Sequence, residues 1–194
     1  CIAPWFLFFV AIEHLGECEL AAANVVRSIS MLFFVIVNSF ATTTISLVSN
    51  LIGAKQIEKV MLTCRRVIKL NYIIGIPLML LAFAFSGVLL RLFTNEAAVI
   101  HTAFYPFCVM LSTFIISVPA YTYCNTVIGT GNTKIAFIFQ MINITIYLVY
   151  LFILSRFRNI PLAIYWSAEQ LYVIVLFALS LWYLKKNKWQ NKNL

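Results

Sequence analysis

Residues 97–128 read AAVIHTAFYPFCVMLSTFIISVPAYTYCNTVI, a run of 32 residues that contains no Lys, Arg, Asp or Glu. A helix needs about 20 consecutive, mostly apolar residues to cross the hydrocarbon core of a bilayer. A helix that is apolar on every side is stable only inside a large protein core or in a membrane. The stretch therefore predicts a membrane-spanning helix.

Five further apolar runs flank this one. Together they predict six membrane segments, at about 1–13, 20–52, 67–91, 96–128, 135–154 and 162–184. The first run is too short to cross a bilayer alone and begins without Met, so we expect it to be the outer end of a helix whose start is missing. The predicted fold is an all-α, polytopic membrane protein, a six-helix bundle whose first helix is truncated.

The composition excludes other classes of protein. Hydrophobic residues make up 63% of the chain and charged residues only 10%, whereas a soluble domain is about half apolar and a quarter charged. So few charges cannot cover a water-facing surface, which excludes a soluble enzyme or binding module. Intrinsic disorder is also excluded, because it requires low hydrophobicity and high charge.

The cations are distributed unequally between the connectors. The formal net charge is +8. Alternate connectors, counted with the basic tail at residues 185–194, place ten Lys and Arg on one side of the predicted membrane and three on the other. By the positive-inside rule the tail lies in the cytoplasm. This topology accounts for the basic excess, so we expect no nucleic-acid partner.

A second basic feature precedes the third segment. Between residues 55 and 66 the apolar residues Ile57, Val60, Met61 and Cys64 recur at helical spacing. Cations lie between them. The pattern predicts an amphipathic helix that lies along the inner membrane surface and contacts membrane lipids. Its role is either a basic anchor for the neighbouring segments or a specific lipid-binding or regulatory one.

Polar residues inside the segments are the candidates for function, because a polar side chain in hydrocarbon needs a partner or a water-filled cavity. In the second segment, Asn24, Arg27 and Asn38 carry amides and a charge that are the hardest to satisfy within one helix. The alternative is that the polar residues of this segment only let helices pack closely and bond back to the backbone.

The fourth segment contains Pro119 at mid-span, which cannot donate a hydrogen bond to the Ile115 carbonyl and is predicted to kink or loosen the helix. Ser117 and Tyr121 lie beside it. A broken helix with clustered hydroxyl groups is common in transporter sites. Proline kinks also occur without any function, so both interpretations stay open.

Gln140 in the fifth segment and Glu169 in the sixth complete the set. Glu169 is the only acid well inside a segment, so it is either functional or held by a neighbouring Tyr or amide. The predicted substrate-cavity residues are Asn24, Arg27, Asn38, Ser117, Tyr121, Gln140 and Glu169, with Pro119 as a helix kink. No catalytic or metal-binding pattern is present in the sequence, so we expect neither an enzyme nor a cofactor.

Three stretches resemble one family of transporters. They are Leu15-Gly16 followed by LAAAN at 20–24, LVSNLIGA at 47–54, and VIGTGNTK at 127–134. The first two resemble the start of the second half of MATE (multidrug and toxic compound extrusion) proteins, and the third is similar to the turn after their tenth helix. The resemblance implies helices seven to twelve of a twelve-helix protein, and a missing N-terminal half that forms a similar six-helix bundle.

The resemblance also implies a function. Members of this family are antiporters, in which Na⁺ or H⁺ entering down its gradient drives the export of drugs or other amphipathic, often cationic, compounds. The two bundles rock so that a central cavity opens alternately to each side. For this chain the expected location is the plasma membrane, specifically a bacterial inner membrane.

The chain departs from the family pattern at the cation ligands. The Glu of helix seven and the Asp of helix ten that some members carry fall near Cys1 and Ser117, and the Asp and first Arg of the turn are replaced by Asn132 and Ile128. We therefore expect the coupling ion to bind mainly in the missing N-terminal half.

Two alternatives to an exporter remain. A flippase for lipid-linked oligosaccharides or related lipid precursors would need a strongly basic cavity, whereas only Arg27 lies inside a span here. A non-transporting membrane scaffold, or a membrane enzyme, would lack a water-filled cavity between polar faces or would show a convergent metal or nucleophile site.

Overall fold

The computed structural model describes residues 3–157 and 160–186. This part of the chain forms seven α-helices: α1 (Ala3–Ile12), α2 (Glu17–Gly53), α3 (Val60–Ala84), α4 (Ser86–Arg91), α5 (Ala97–Gly129), α6 (Thr133–Ser155) and α7 (Leu162–Lys185). Short 3-10 turns at Glu13–Leu15 and Ile57–Lys59 precede α2 and α3. Positions 1–2 and 158–159, and positions 187–194 of the predicted tail, lie outside the described residues.

The predicted all-α bundle is confirmed. Five described helices are long and apolar enough to cross a membrane, namely α2, α3 with its preceding turn, α5, α6 and α7, while the first apolar helix is shorter. Large apolar side chains point outward, as at Phe152, whose side chain is 67% exposed. Such a surface would cause aggregation in water, whereas in a membrane it contacts apolar lipid chains.

Helix α5 is the centre of the bundle. It packs against α2 on one side and α7 on another, with further contacts to α3. Its Phe114 ring meets the Phe33 ring of α2 edge-on at 5.6 Å between centroids. α2 has 37 residues and α5 has 33, which correspond to about 55 Å and about 50 Å at the helical rise. Both therefore extend well beyond the hydrocarbon core, which is about 30 Å thick.

The two long helices approach most closely near the end of α5. Ser49 of α2 donates a hydrogen bond to the Gly129 carbonyl at 3.1 Å. A Cβ on Gly129 would lie 3.0 Å from both the Ile45 carbonyl oxygen and the Val48 Cβ. Both distances are tighter than most Cβ contacts in proteins, so glycine suits this close approach, as small residues usually do between membrane helices.

Pro119 does not break α5. The helix is continuous from Ala97 to Gly129, and the Ile115 carbonyl, which Pro119 cannot satisfy, accepts a hydrogen bond from the Tyr72 hydroxyl of α3 at 2.5 Å. The carbonyl that Pro119 frees is therefore part of a link between two helices, and the predicted kink stays a prediction. A freed carbonyl in a membrane helix needs such a partner, since there is no water to supply one.

The third segment differs from the prediction. Instead of a surface helix over 55–66 and a separate span, α3 begins at Val60 and continues to Ala84, and the predicted end of the span forms the separate short helix α4. The apolar face of the amphipathic stretch packs on protein rather than on lipid: Val60 and Cys64 are fully buried, and the Cys64 sulfur lies 3.0 Å from the Thr126 hydroxyl of α5. The same buried face continues along the helix at Val67, so nothing ends the helix at residue 66.

Replacing Gly129 with Ala is expected to destabilise the bundle. The added methyl group would force α2 away from α5, and overpacking of this kind costs about 1–3 kcal/mol. The matched control is Gly53→Ala, because Gly53 is the last residue of α2 as Gly129 is of α5, and a Cβ added there would meet no neighbouring side chain or helix within 4 Å. Thermal unfolding in detergent should show a lower Tm for Gly129→Ala only. Equal Tm values for the two variants would contradict the close approach.

Candidate functional site

A cleft of about 310 Å³ opens between α1, α2, α5 and α7. Four of the predicted cavity residues line it: Arg27 from α2, Ser117 and Tyr121 from α5, and Glu169 from α7. The rest of the wall is mostly apolar and aromatic, with Trp5, Phe34, Met110, Phe114 and Trp166 among its members. The structure therefore brings together, at one place, polar residues that are far apart in the sequence.

Packing of aromatic rings positions the α1 and α7 sides of the cleft. Trp166 of α7 meets Trp5 of α1 at 5.7 Å and Phe8 of α1 at 5.5 Å between ring centroids, both in edge-on geometry. Edge-on pairs of this kind contribute beyond the area that they bury. They hold the short helix α1 against α7, so that Trp5 forms part of the cleft wall.

Glu169 is the one carboxylate among the described residues that line the cleft. The hydroxyl of Tyr147, on α6, donates a hydrogen bond to its Oε1 at 3.0 Å. This bond fixes the side chain from outside the cleft, since Tyr147 is not a lining residue. A carboxylate accepts several hydrogen bonds, so Glu169 keeps acceptor capacity for a ligand.

Arg27 lines the same cleft on the α2 side. Its guanidinium carbon lies 5.1 Å from the centre of the Phe9 ring of α1, within the range of a cation–π contact. The buried Nε atom has no hydrogen-bond partner in the structure. An unpaired donor of a charged group is costly in an apolar environment, so Arg27 is an incompletely satisfied cation beside the cleft.

Three Ser and Thr hydroxyl groups of the cleft donate their hydrogens to carbonyls of their own helices. Ser30, Thr113 and Ser117 each donate to a carbonyl three or four residues earlier, at 2.7, 2.9 and 2.8 Å. A hydroxyl has one donor hydrogen and two lone pairs. Because the hydrogen is already used, these groups offer only lone pairs to a ligand. Together with Glu169 they make that part of the wall suited to cations and hydrogen-bond donors.

Three predicted cavity residues do not line the cleft. Asn24 is exposed, and its amide donates to the Leu20 carbonyl of its own helix at 3.1 Å. Asn38 shares the helical face of Arg27 but lies beyond Val37, the last α2 residue in the wall. Gln140 accepts a hydrogen bond from the Tyr172 hydroxyl at 2.6 Å and approaches the Cys124 sulfur at 3.9 Å. It belongs to a separate polar contact between α5, α6 and α7.

Sequence reasoning also missed several residues of the site. Ser30 lines the cleft but was not among the predicted cavity residues. Its spacing of three residues from Arg27 on the same helix would have been enough to predict it. Trp5 and Tyr147 gave no signal, because both depend on how α1 and α6 pack on α7. Among residues 3–157 and 160–186, no three His, Cys, Asp or Glu side chains come together as a metal site.

Comparison with known proteins identifies one family. The MatE family model matches residues 5–153, which cover α1 to most of α6. No curated protein matches the sequence. No solved structure matches it either.

Cysteine substitution tests whether the cleft contains water. In a variant without the native cysteines, Ser30→Cys should react with a water-soluble methanethiosulfonate at least roughly tenfold faster than Val35→Cys, because the reactive thiolate forms only where water reaches the sulfur. Val35 lies on the same helix and is 61% exposed, but it is not a cleft residue. Equal labelling of the two cysteines in membranes would show that the cleft is not an aqueous site.

Proposed function

The chain belongs to the MatE family of membrane transporters, and from that premise we propose that it forms one half of a cation-coupled antiporter that exports amphipathic compounds. The cleft between α1, α2, α5 and α7 is the observation that carries this proposal. Its wall is mostly apolar and contains one carboxylate, one guanidinium and several acceptor hydroxyl groups. Binding sites for small molecules typically combine apolar walls with a few placed polar groups.

The cleft chemistry favours drugs or other substrates with an apolar body and a cationic group. The aromatic and aliphatic wall would contact the body, while Glu169 and the hydroxyl lone pairs of Thr113 and Ser117 would accept from the cationic group. Arg27, held against Phe9, would balance the charge of Glu169 when no substrate is bound. The charges of the empty cleft would then offset one another.

We propose that this bundle works with a preceding six-helix bundle of the same protein. The substrate would pass between the two as they rock, with access alternating from one side of the membrane to the other. Cys1 and Ser117 stand where some members of the family carry the Glu and Asp that bind the cation. The coupling ion, Na⁺ or H⁺, is therefore proposed to bind mainly in the preceding bundle.

The proposed topology places the chain in the plasma membrane, of a bacterial cell, with the C-terminus in the cytoplasm. The cations at the start of α3 and at the end of α7 then lie on the same, inner side.

Alkaline phosphatase fused after Phe157 should be active, because it folds only outside the cytoplasm, and the same enzyme fused after Lys186 should be inactive. Green fluorescent protein should give the opposite pattern at these two positions. Activity in the reverse order would overturn the topology.

Dye efflux tests the transport proposal. Cells that express the full-length protein should accumulate less ethidium than control cells, and either a protonophore or removal of sodium should abolish the difference. Efflux that is indifferent to both treatments would refute coupling to a cation gradient. Lack of any efflux, together with transfer of a lipid-linked oligosaccharide across the membrane, would favour the flippase alternative; lack of both activities would favour a scaffold.

Two substitutions test the role of the carboxylate. Glu169→Gln should reduce ethidium efflux about ten- to hundredfold, the factor expected for a lost hydrogen bond to a charged group. Tyr147→Phe should reduce it less, because the carboxylate remains but loses its anchor. The control is Tyr150→Phe, which removes a similar contact between α6 and α7, the 2.9 Å bond between the Tyr150 and Ser167 hydroxyl groups.

All three variants should be present in the membrane at equal amounts, as measured by immunoblot. If Tyr150→Phe lowers efflux as much as Tyr147→Phe, the loss in both comes from helix packing and not from the anchor of Glu169. Unchanged efflux in Glu169→Gln would show that the carboxylate has no role in recognition.

A further inference from the structure

A second concave surface lies on the outside of the bundle, along α3. It is a groove of about 520 Å³ whose described lining residues all belong to α3. Arg65 and Lys69 line one end, and Ile73, Ile76 and Pro77 line the other. These positions recur every three to four residues, so they form one continuous stripe on a single face of the helix.

The contacts of α3 with the bundle fix the direction in which this stripe points, and one of them is made by Tyr72, which also lines the groove. Cys64 and Val67 are buried, and Cys64 contacts Thr126 of α5. The Tyr72 hydroxyl donates to the Ile115 carbonyl of α5, which prevents rotation of α3 about its axis. The groove therefore faces away from the bundle interior, toward the lipid.

The charged end of the groove has the chemistry of an anion site. Arg65 and Lys69 are one helical turn apart and both are exposed. No carboxylate is found among the described lining residues. Lys69 is also the last charged residue of α3, followed by a mostly apolar stretch without charge, so the pair lies at the depth of the lipid headgroups, where cations can bind phosphate.

The groove as a whole, with its charged and apolar ends, is slightly longer than one leaflet. From Arg65 to Pro77 the helix rises about 18 Å, while half of the hydrocarbon core is about 15 Å. Ile73 is 57% exposed and Ile76 is also exposed, so both offer apolar surface to an acyl chain. A phosphate at one end and an acyl chain along the other would use the whole stripe.

We propose that this groove binds one anionic phospholipid, with its phosphate between Arg65 and Lys69 and an acyl chain along Ile73, Ile76 and Pro77. This site is separate from the cleft in which we place the transported substrate, because the two share no lining residue. The lipid is a bound component of the α3 surface, on the side of the membrane where the cations lie.

Native mass spectrometry of the full-length protein, titrated in detergent with phosphatidylglycerol or phosphatidylcholine, tests the proposal. The protein should retain one phosphatidylglycerol more tightly than phosphatidylcholine. The double variant Arg65→Gln with Lys69→Gln should bind phosphatidylglycerol about thirtyfold more weakly, because each cation near an anionic lipid contributes about a factor of five.

The control is Arg66→Gln with Lys59→Gln, which removes the same charge from the start of α3 and the turn before it, but from positions outside the groove. It should leave the affinity nearly unchanged. An equal loss in both double variants would show diffuse charge attraction and overturn the proposal, as would equal affinity of the unaltered protein for the two lipids.

A second variant tests the apolar part without changing any charge. Ile73→Trp would fill the groove and should weaken phosphatidylglycerol binding, while Ile74→Trp, on an adjacent exposed position outside the groove, should not. Inorganic phosphate at millimolar concentration should not displace the lipid. Displacement by phosphate, or equal binding by the two Trp variants, would show that no acyl chain occupies the groove.

Discussion

In the hydrocarbon layer a polar group has no water to bind, so every donor and acceptor must find its partner within the protein. This constraint explains most of the polar contacts in the bundle. Hydroxyl groups along α2 and α5 donate to carbonyls one turn earlier in their own helix, as Thr44 does to Phe40 and Thr122 to Val118. Where a helix cannot satisfy itself, a neighbour does: Tyr72 of α3 supplies the hydrogen bond that Pro119 removes from Ile115.

The two charged side chains of the cleft are not fully satisfied by partners within the protein. Arg27 keeps a buried Nε without a partner, and Glu169, anchored by the Tyr147 hydroxyl, keeps lone pairs for further donors. Both line one cleft. Charged side chains at membrane depth mark functional sites more often than intramembrane hydroxyl groups do.

The central position of α5 connects the fold to both proposed binding surfaces. Its Met110, Phe114 and Ser117 side chains form part of the cleft, and its Ile115 carbonyl holds α3 through Tyr72. That link fixes the rotation of α3 and therefore the direction of the lipid-facing groove. Any relative movement of α3 and α5 during transport would change the shape of both surfaces together.

The sequence by itself determined that the helices lie in a membrane, that the fold is all-α, and to which family the chain belongs. Long runs without charge allow only membrane helices, and for this reason the ends of α2, α5, α6 and α7 were predicted to within a few residues. It also named four of the residues that line the cleft, because charges and paired hydroxyl groups within spans are unusual. These are Arg27, Ser117, Tyr121 and Glu169. Tertiary structure alone decided which of the candidates meet. Asn24 satisfies its own amide, Gln140 bonds to Tyr172, and α3 begins at Val60 because its apolar face packs on α5 instead of lipid. A sequence pattern shows that a helical face is apolar or polar, but hydrocarbon and a neighbouring helix satisfy an apolar face equally well, and only the packed bundle distinguishes them.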